Sequence, residues 1–407
     1  MIIEHLEEPL PGSSLRQTPR GQAYTDPEIF RAEQAKIFES MWNCVLRADS
    51  LSSSGQWRTV TVGREELIIV RTRRAGIQAY FNVCAHRGMR VCTSDEGRGK
   101  TLQCGYHAWT YALEGELVAA PNLTSMPDVD REAHGLRPVP VREWLGYVWV
   151  CPAGAYEDAD PPSFEEDVLG EVRTRFGEVE SIDNYGIDAL ALGATKTYDV
   201  AANWKLIIEN FMECYHCATI HPELTEVVPE FAQGLASQRK NGEVHGSSFG
   251  DDVEGFTVDG SASGVPELPA IAPDQDRKYY AITVKPQVFI NTVPDHVIVH
   301  RMFPVSESRT TVECDWLFLP EVVEKVRAGA LDISRSVELF HRVNQQDFKA
   351  CELTQPSMSS RAYREGGVLV PSEHHIGEFH AWWHRRLRVE GEGPAGSSTV
   401  SSDRVAV

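Results

Sequence analysis

The chain has 407 residues, 42% of them hydrophobic, which is enough for two domains with sizeable cores. Asp and Glu outnumber Lys and Arg by 59 to 39, and the net charge of −20 repels nucleic-acid phosphates and anionic lipid surfaces, so neither is expected as a partner. The acidic opening "MIIEHLEEPLPGSS" has no basic region before an apolar core, and no apolar run approaches a spanning twenty-mer. Nine cysteines are too few for a disulfide scaffold, and an odd count favours free or metal-bound thiols in a reducing compartment. The expectation is a cytoplasmic protein.

In chain order, "TDPE" at residues 25–28 reads as a helix start with a capping-box Glu and an early Pro, followed by Phe30, Ile37, Phe38 and Met41 at near-helical spacing. The stretch from Trp57 to Tyr80 alternates β-formers around turn residues, and strand-like text returns at "GYVWVCP". An acidic, Pro-containing segment then places a boundary near residue 155. Beyond it, "ANWKLIIENFMECYHC" reads as helix, and residues 226–277 as a long Gly/Ser/Asp/Pro-rich lid or insertion. Strands follow at "YYAITVKPQVFINTV", "HVIVHRMFPV" and "TTVECDWLFL", then a helix from about Asp332 to Leu353. The ending has the composition of a disordered tail, and its Gly-x-Gly-x-x-Gly at 391–396 has neither the strand before it nor the helix after it that a dinucleotide site needs. The division is a helical segment at 1–44 packing on the body, domains at 45–155 and 156–388, and a tail at 389–407. The fold class is α+β: an all-β domain, then an antiparallel sheet flanked by helices.

Two mixed pairs, Cys84/His86 and Cys104/His107, are separated by seventeen residues. Zinc sites usually pair cysteines with cysteines or histidines with histidines, whereas each half here mixes one of each. A Rieske [2Fe–2S] centre needs this inventory, two thiolates on one iron and two imidazoles on the other, with each loop supplying one ligand to each iron. Gly88 and Gly105 let backbone approach such a cluster and offer N–H groups to its sulfurs, and Tyr106 and Trp109 are placed to shield it. Cys92, between the loops, is expected to be a packed thiol.

A second constellation lies in the other half. Glu209, Glu213 and His216 fall at i, i+4 and i+7 on an otherwise apolar helical text, and Pro222 biases His221 out of the helix so that the two imidazoles converge. A 2-His-1-carboxylate site for non-heme Fe(II) needs one carboxylate more. The late helix supplies it in Asp347, which shares an inward face with Phe340, Asn344 and Cys351.

"CAHRG…CGYHAWTY" closely resembles the Rieske motif of the ring-hydroxylating oxygenase alpha-subunit family, and "NWKLIIEN…ECYHC…HPEL" and "NQQDFKACE" resemble its iron-binding segments, over most of residues 25–385. The resemblance implies that His216, His221 and Asp347 bind mononuclear iron and that the chain is the terminal oxygenase component of a homotrimer. Electrons from a separate reductase or ferredoxin, drawn from NAD(P)H, would enter at Cys84, His86, Cys104 and His107. They would cross to a neighbour's iron through the carboxylate three residues before its first His, and O2 and a small organic molecule would react there. Family members commonly carry Asp at that position. Here it is Glu213, which resembles the branch that oxidises glycine betaine and related quaternary ammonium compounds and favours oxidative N-demethylation. Oxygenation of an aromatic or natural-product substrate is the alternative, and an electron-transfer protein without oxygenase activity the third. Tyr279, Tyr280, Phe289, Phe303 and Trp316 are candidates for an aromatic cage around a cationic head group. Arg87, Arg90, Arg98 and Lys100 form a candidate docking patch for an acidic partner.

Overall fold

The computed structural model describes residues 15–122, 130–155, 161–234, 239–240, 243–244 and 246–388. The expected tail and its glycine pattern lie outside those residues. Among the described residues no helix is long and apolar enough to cross a membrane.

The first half is all β. One antiparallel sheet runs Pro138–Val139, Ile77–Phe81, Glu65–Arg71, Gln56–Val62, Glu96–Arg98. Its middle strand serves two cores with its two faces: Leu67 and Ile69 join the cluster containing Val45 and Val148, while Ile68 and Val70 join the one containing Cys84, Cys104 and Tyr111. A small sheet of Thr101–Gln103, Thr110–Ala112 and Leu117–Ala119 carries the second Cys/His loop between its first two strands. Another unites Asn43–Arg47 with Tyr147–Val150 and Val141–Trp144, so the expected boundary at 44/45 falls inside a strand.

The second half is built on one six-stranded antiparallel sheet in the order Ala191–Val200, Arg309–Phe318, His296–Ser306, Val288–Val293, Lys278–Val284, Ser247–Ser248. Helices Trp204–Phe211 and Ser334–Thr354 pack on it through Ile207, Ile208, Phe340 and Val343, all buried. The stretch expected as a lid contributes core instead: Phe249 and Phe256 pack with Tyr279 and Phe340.

The halves meet through buried polar groups. Arg301 pairs with Asp315 at 3.1 Å and donates to the Val45 carbonyl at 2.9 Å, and Tyr147 donates to Asp315 at 2.9 Å. Burial opposes the Arg301 charge, but Asp315 outweighs it and holds the guanidinium above its usual range. The N-terminal helix starts one residue later than read: Asp26 caps it by accepting from the Glu28 N–H, with Pro27 at the first helical position. Its buried end, Glu33, accepts from Lys205 at 2.5 Å and from the indoles of Trp204 and Trp383 at 2.8 and 2.7 Å, fastening three distant segments together.

Candidate metal centres and catalytic cavity

The two Cys/His loops fold as matching knuckles. In each, the Cys N–H donates to the carbonyl five residues on, Met89 at 2.8 Å and Trp109 at 2.9 Å, and its carbonyl accepts from the residue four on, Gly88 at 2.9 Å and Ala108 at 3.1 Å. That fourth residue is left-handed in both, Gly88 at φ 73° and Ala108 at φ 58°, which turns the chain back sharply enough to present Cys and His on one side. Gly88 meets the expectation for a special backbone position, but its N–H closes the turn. The sulfur of Cys104 is faced instead by the N–H groups of Tyr106 and His107. Both cysteines are buried, whereas His86 is exposed. The imidazoles of His86 and His107 lie 4.5 Å apart, and Trp109 stacks on His86 at 5.0 Å. Tyr106 is half exposed and covers only one side.

This arrangement fits the cluster and not zinc. Among the described residues, only His216, His221 and Asp347 bring three donor atoms within 4.8 Å of one another, so the four Cys and His donors do not converge on a single ion. They divide into an inner pair of thiols and an outer pair of imidazoles, as two irons require. His107 Nδ1 is buried without a partner, an orphan that a metal would satisfy, and burial and nearby His86 keep that ring low in pKa and thus neutral, as a ligand must be. Two groups not read from the sequence support the loops. The Tyr111 hydroxyl sits 3.2 Å from Cys84 Sγ and accepts from the Ala85 N–H, and buried Asn82 clamps Val91 and Cys92 with three hydrogen bonds. Cys92 is a packed thiol, pushed up to about 12 by burial. In the basic patch, Arg90 is engaged by Glu66 and Arg87 lies over Tyr106, while Arg98 and Lys100 are exposed.

The second constellation converges by a different route. The helix expected to carry Glu209, Glu213 and His216 on one face ends at Phe211. Glu213 is the reason: its carboxylate turns back to accept from the N–H groups of Tyr215 and His216, satisfying backbone that the helix would otherwise use. His221 adopts φ −122°, ψ 63° between two short helices, with Pro222 opening the second, as the sequence indicated. Asp347 Oδ1 then lies 2.7 Å from His221 Nε2 and 3.3 Å from His216 Nε2. The remaining ring nitrogens are held as well: Glu213 binds His216 Nδ1, and Gln346 accepts through Oε1 from His221 Nδ1 at 2.6 Å and donates through Nε2 to Glu223 at 3.0 Å. Both Nε2 atoms therefore face the carboxylate, the aim a metal ligand needs.

Electrostatics agree. Burial alone would raise the Asp347 carboxyl, but hydrogen bonds from both imidazoles outweigh it and hold it below the usual range. Burial would lower His216, yet Asp347, Cys217 and Glu213 hold it up at about 12. A buried carboxylate that retains two protons nearby is a donor set whose charge a dication can take over.

The triad opens into a cavity of about 50 Å3 lined also by Arg175, Asn210, Phe211, Phe231, Tyr279 and Phe340. Of the five aromatic cage candidates only Tyr279 reaches it. Tyr280 and Trp316 are core residues, Phe289 sits behind Phe211, and Phe303 lines a separate hollow near Val62. The strand reading placed these rings on the sheet but not on which face. A larger hollow of about 790 Å3, lined by Arg47, Arg71, Asp183 and Asp188, contains no residue of either constellation. Behind Tyr279 runs a one-way chain of hydrogen bonds: Tyr279 donates to Asn291 at 2.6 Å, Asn291 to His300 at 3.2 Å and His300 to Asn344 at 3.0 Å. Asn344 donates to Tyr198 at 3.4 Å, and Tyr198 to His341 at 2.7 Å. In this direction His300 is the Nε2–H tautomer.

An all-β half whose Cys/His loops suit a two-iron cluster, joined to a sheet-and-helix half in which two His and an Asp converge, has the make-up of a Rieske-type non-heme iron oxygenase. The sequence model of the Rieske [2Fe-2S] domain matches residues 41–131, and that of the ring hydroxylating alpha subunit (catalytic domain) matches residues 187–389: the chain belongs to the ring-hydroxylating oxygenase alpha-subunit family. It is therefore an oxidoreductase whose cofactors are a Rieske cluster and a mononuclear iron, with O2 as co-substrate and a reductase as partner. It is 29% identical over 393 residues to a glycine betaine monooxygenase oxygenase subunit of Pseudomonas aeruginosa, covering 89% of this chain and 87% of that one. To a carnitine monooxygenase oxygenase subunit of Escherichia coli it is 28% identical over 371 residues, covering 88% and 90%. The solved structure of the quaternary ammonium Rieske monooxygenase CntA with gamma-butyrobetaine is similar at a TM-score of 0.69 and 26% identity, covering 92% and 97%.

Proposed function

We propose that this oxygenase oxidatively N-demethylates a small quaternary ammonium or N-methyl compound. The observation that carries the reading is the cavity itself, where Phe211, Phe231, Tyr279 and Phe340 line the same space as the triad, and aromatic rings can hold a permanent cation without neutralising it. The names of the relatives, glycine betaine and carnitine monooxygenases, point the same way.

In this reading Cys84, His86, Cys104 and His107 hold the cluster, and His216, His221 and Asp347 hold the iron. Once bound, these groups supply the redox chemistry of dioxygen. The protein's part is orientation: Gln346 and Glu213 fix the tautomers of the two histidines, and the aromatic wall directs one N-methyl group towards the triad while excluding water. One oxygen atom enters a C–H bond of that methyl and the other leaves as water, using two electrons and two protons. The carbinolamine formed gives up its hydroxyl proton and breaks its C–N bond, leaving formaldehyde and the amine with one methyl fewer, tertiary when the substrate is quaternary.

The same proposal includes a ring of three subunits in the cytoplasm. Val83, Met89 and Tyr106 expose apolar surface around the cluster loops, and Tyr215 exposes 60% of its surface beside His216. Two distinct apolar patches on one chain suit a head-to-tail contact that closes into a ring and brings one copy's cluster to its neighbour's Glu213. All nine cysteines are buried and unpaired, as a reducing compartment keeps them. Formaldehyde release with reductase, NADH and glycine betaine or carnitine tests the activity. None released by protein with a reducible cluster and full iron would refute it.

A further inference from the structure

Arg175 sits in the last turn of helix Leu169–Phe176 and lines the cavity shared by His216, His221 and Asp347. Its Nε is fully buried without a hydrogen-bond partner, and among the described residues its guanidinium forms no ion pair. Among the described residues, the cations that are buried outright each have a carboxylate, Lys205 in Glu33 at 2.5 Å, Arg301 in Asp315 at 3.1 Å and Arg47 in Asp49 at 3.1 Å. A half-buried guanidinium with a buried N–H and no carboxylate of its own gives up hydration without compensation, which an anion entering the cavity would restore. The nearest carboxylates in the cavity are occupied: Glu213 holds His216, and Asp347 holds both histidines. A second polar atom is orphaned in the same cavity, Asn210 Oδ1, on an amide that needs only to turn over to donate.

We infer that Arg175, assisted by Asn210, is the receptor for a carboxylate on the substrate, which is therefore a zwitterion carrying both an N-methylated ammonium and a carboxylate. The inference rests on the demethylation reading and narrows it. A planar guanidinium matches a carboxylate through two parallel hydrogen bonds, and it repels a cation that brings no anion of its own. Burial lowers Arg175 only to about 10, so it remains charged at neutral pH. With the carboxylate held at Arg175 and the ammonium on the aromatic wall, a two-point fit turns a methyl group to the triad. A cationic alcohol of the same shape lacks one of the two anchors.

The test compares wild type with Arg175→Gln and Arg175→Lys, using glycine betaine and carnitine as carboxylated cations, choline as a cation without carboxylate, and 3,3-dimethylbutanoate as a carboxylate without a cation. Binding by calorimetry and turnover by formaldehyde are read together. Wild type is expected to bind at least one carboxylated cation more tightly than choline, by about 10–100-fold. Arg175→Gln should lose that margin in Kd and KM with kcat little changed, leave choline unaffected or better bound, and abolish competition by 3,3-dimethylbutanoate; Arg175→Lys should restore part of it. Because a guanidinium with no carboxylate partner is being removed, Arg175→Gln should also melt no lower than wild type, whereas a structural arginine would lower Tm. Equal binding of choline and the carboxylated cations by wild type, or an equal loss for both in Arg175→Gln, would overturn the proposal. If 3,3-dimethylbutanoate binds through Arg175 but no ammonium compound yields formaldehyde, the anion site stands and the demethylation reading falls.

Discussion

The two candidate metal centres are built in opposite ways. The Cys/His loops are local: each knuckle is closed by its own backbone, needs one left-handed residue, and leaves its histidine near solvent. The triad is assembled at long range, with Asp347 lying 126 residues after His221, and every donor is oriented by a neighbour inside the core. A site that must exchange electrons with a partner benefits from exposure. One that must handle a reactive oxidant benefits from burial, and burial has to be supported by ion pairs and hydrogen bonds elsewhere in the fold.

If the regions are separable in this sense, substitutions should divide cleanly. Asp347→Asn is expected to remove mononuclear iron and turnover, beyond the roughly 10–100-fold that loss of an outer hydrogen bond costs, while the Rieske spectrum stays intact. Cys84→Ser should do the reverse, erasing the visible spectrum and leaving iron at the triad measurable by metal analysis. A variant that loses both signals would break the comparison.

The next effect concerns the seam between the regions. Asp315→Asn leaves buried Arg301 only the half-buried Glu313 at 2.7 Å, and should lower stability by about 1–3 kcal/mol, read as an earlier urea midpoint for both halves together. Separate transitions would show that the seam does not couple them.

A pH effect of similar size belongs to the catalytic half alone. Burial holds His300 down at about 4, whereas the unfolded chain takes up that proton near 6.5. Between those values the unfolded state binds more protons, so stability should fall as the medium is acidified, by about 3 kcal/mol once below pH 4. His300→Gln should flatten that slope, and an unchanged slope would mean the chain behind Tyr279 is not what His300 contributes. The smallest expected effect is that of Gln346→Leu, which frees His221 Nδ1 and should weaken iron binding about 10–100-fold without moving the cluster's spectrum.

What was legible in the sequence follows the same contrast. The knuckles could be read because their chemistry is contiguous, although Ala108 gave no sign of its left-handed backbone. Pro222 announced the bend at His221, and the inward face of the late helix placed Asp347, since helical spacing survives burial. The continuous helix through Glu213 was misread because periodicity does not register a side chain that caps its own backbone. Edge strand Ala191–Val200 was missed because it is mostly half-exposed and carries no clean alternation. Arg175 and Gln346 were invisible for a different reason: a polar residue in a helix looks like surface until the cavity beside it is known.

The most direct test of the account is to measure formaldehyde released against O2 consumed, with glycine betaine or carnitine, reductase and NADH, in wild type and Asp347→Asn. The account predicts equal amounts of the two in wild type and neither above background in the variant, although its cluster is still reduced. O2 uptake without matching formaldehyde in wild type, or formaldehyde from the variant, would contradict it.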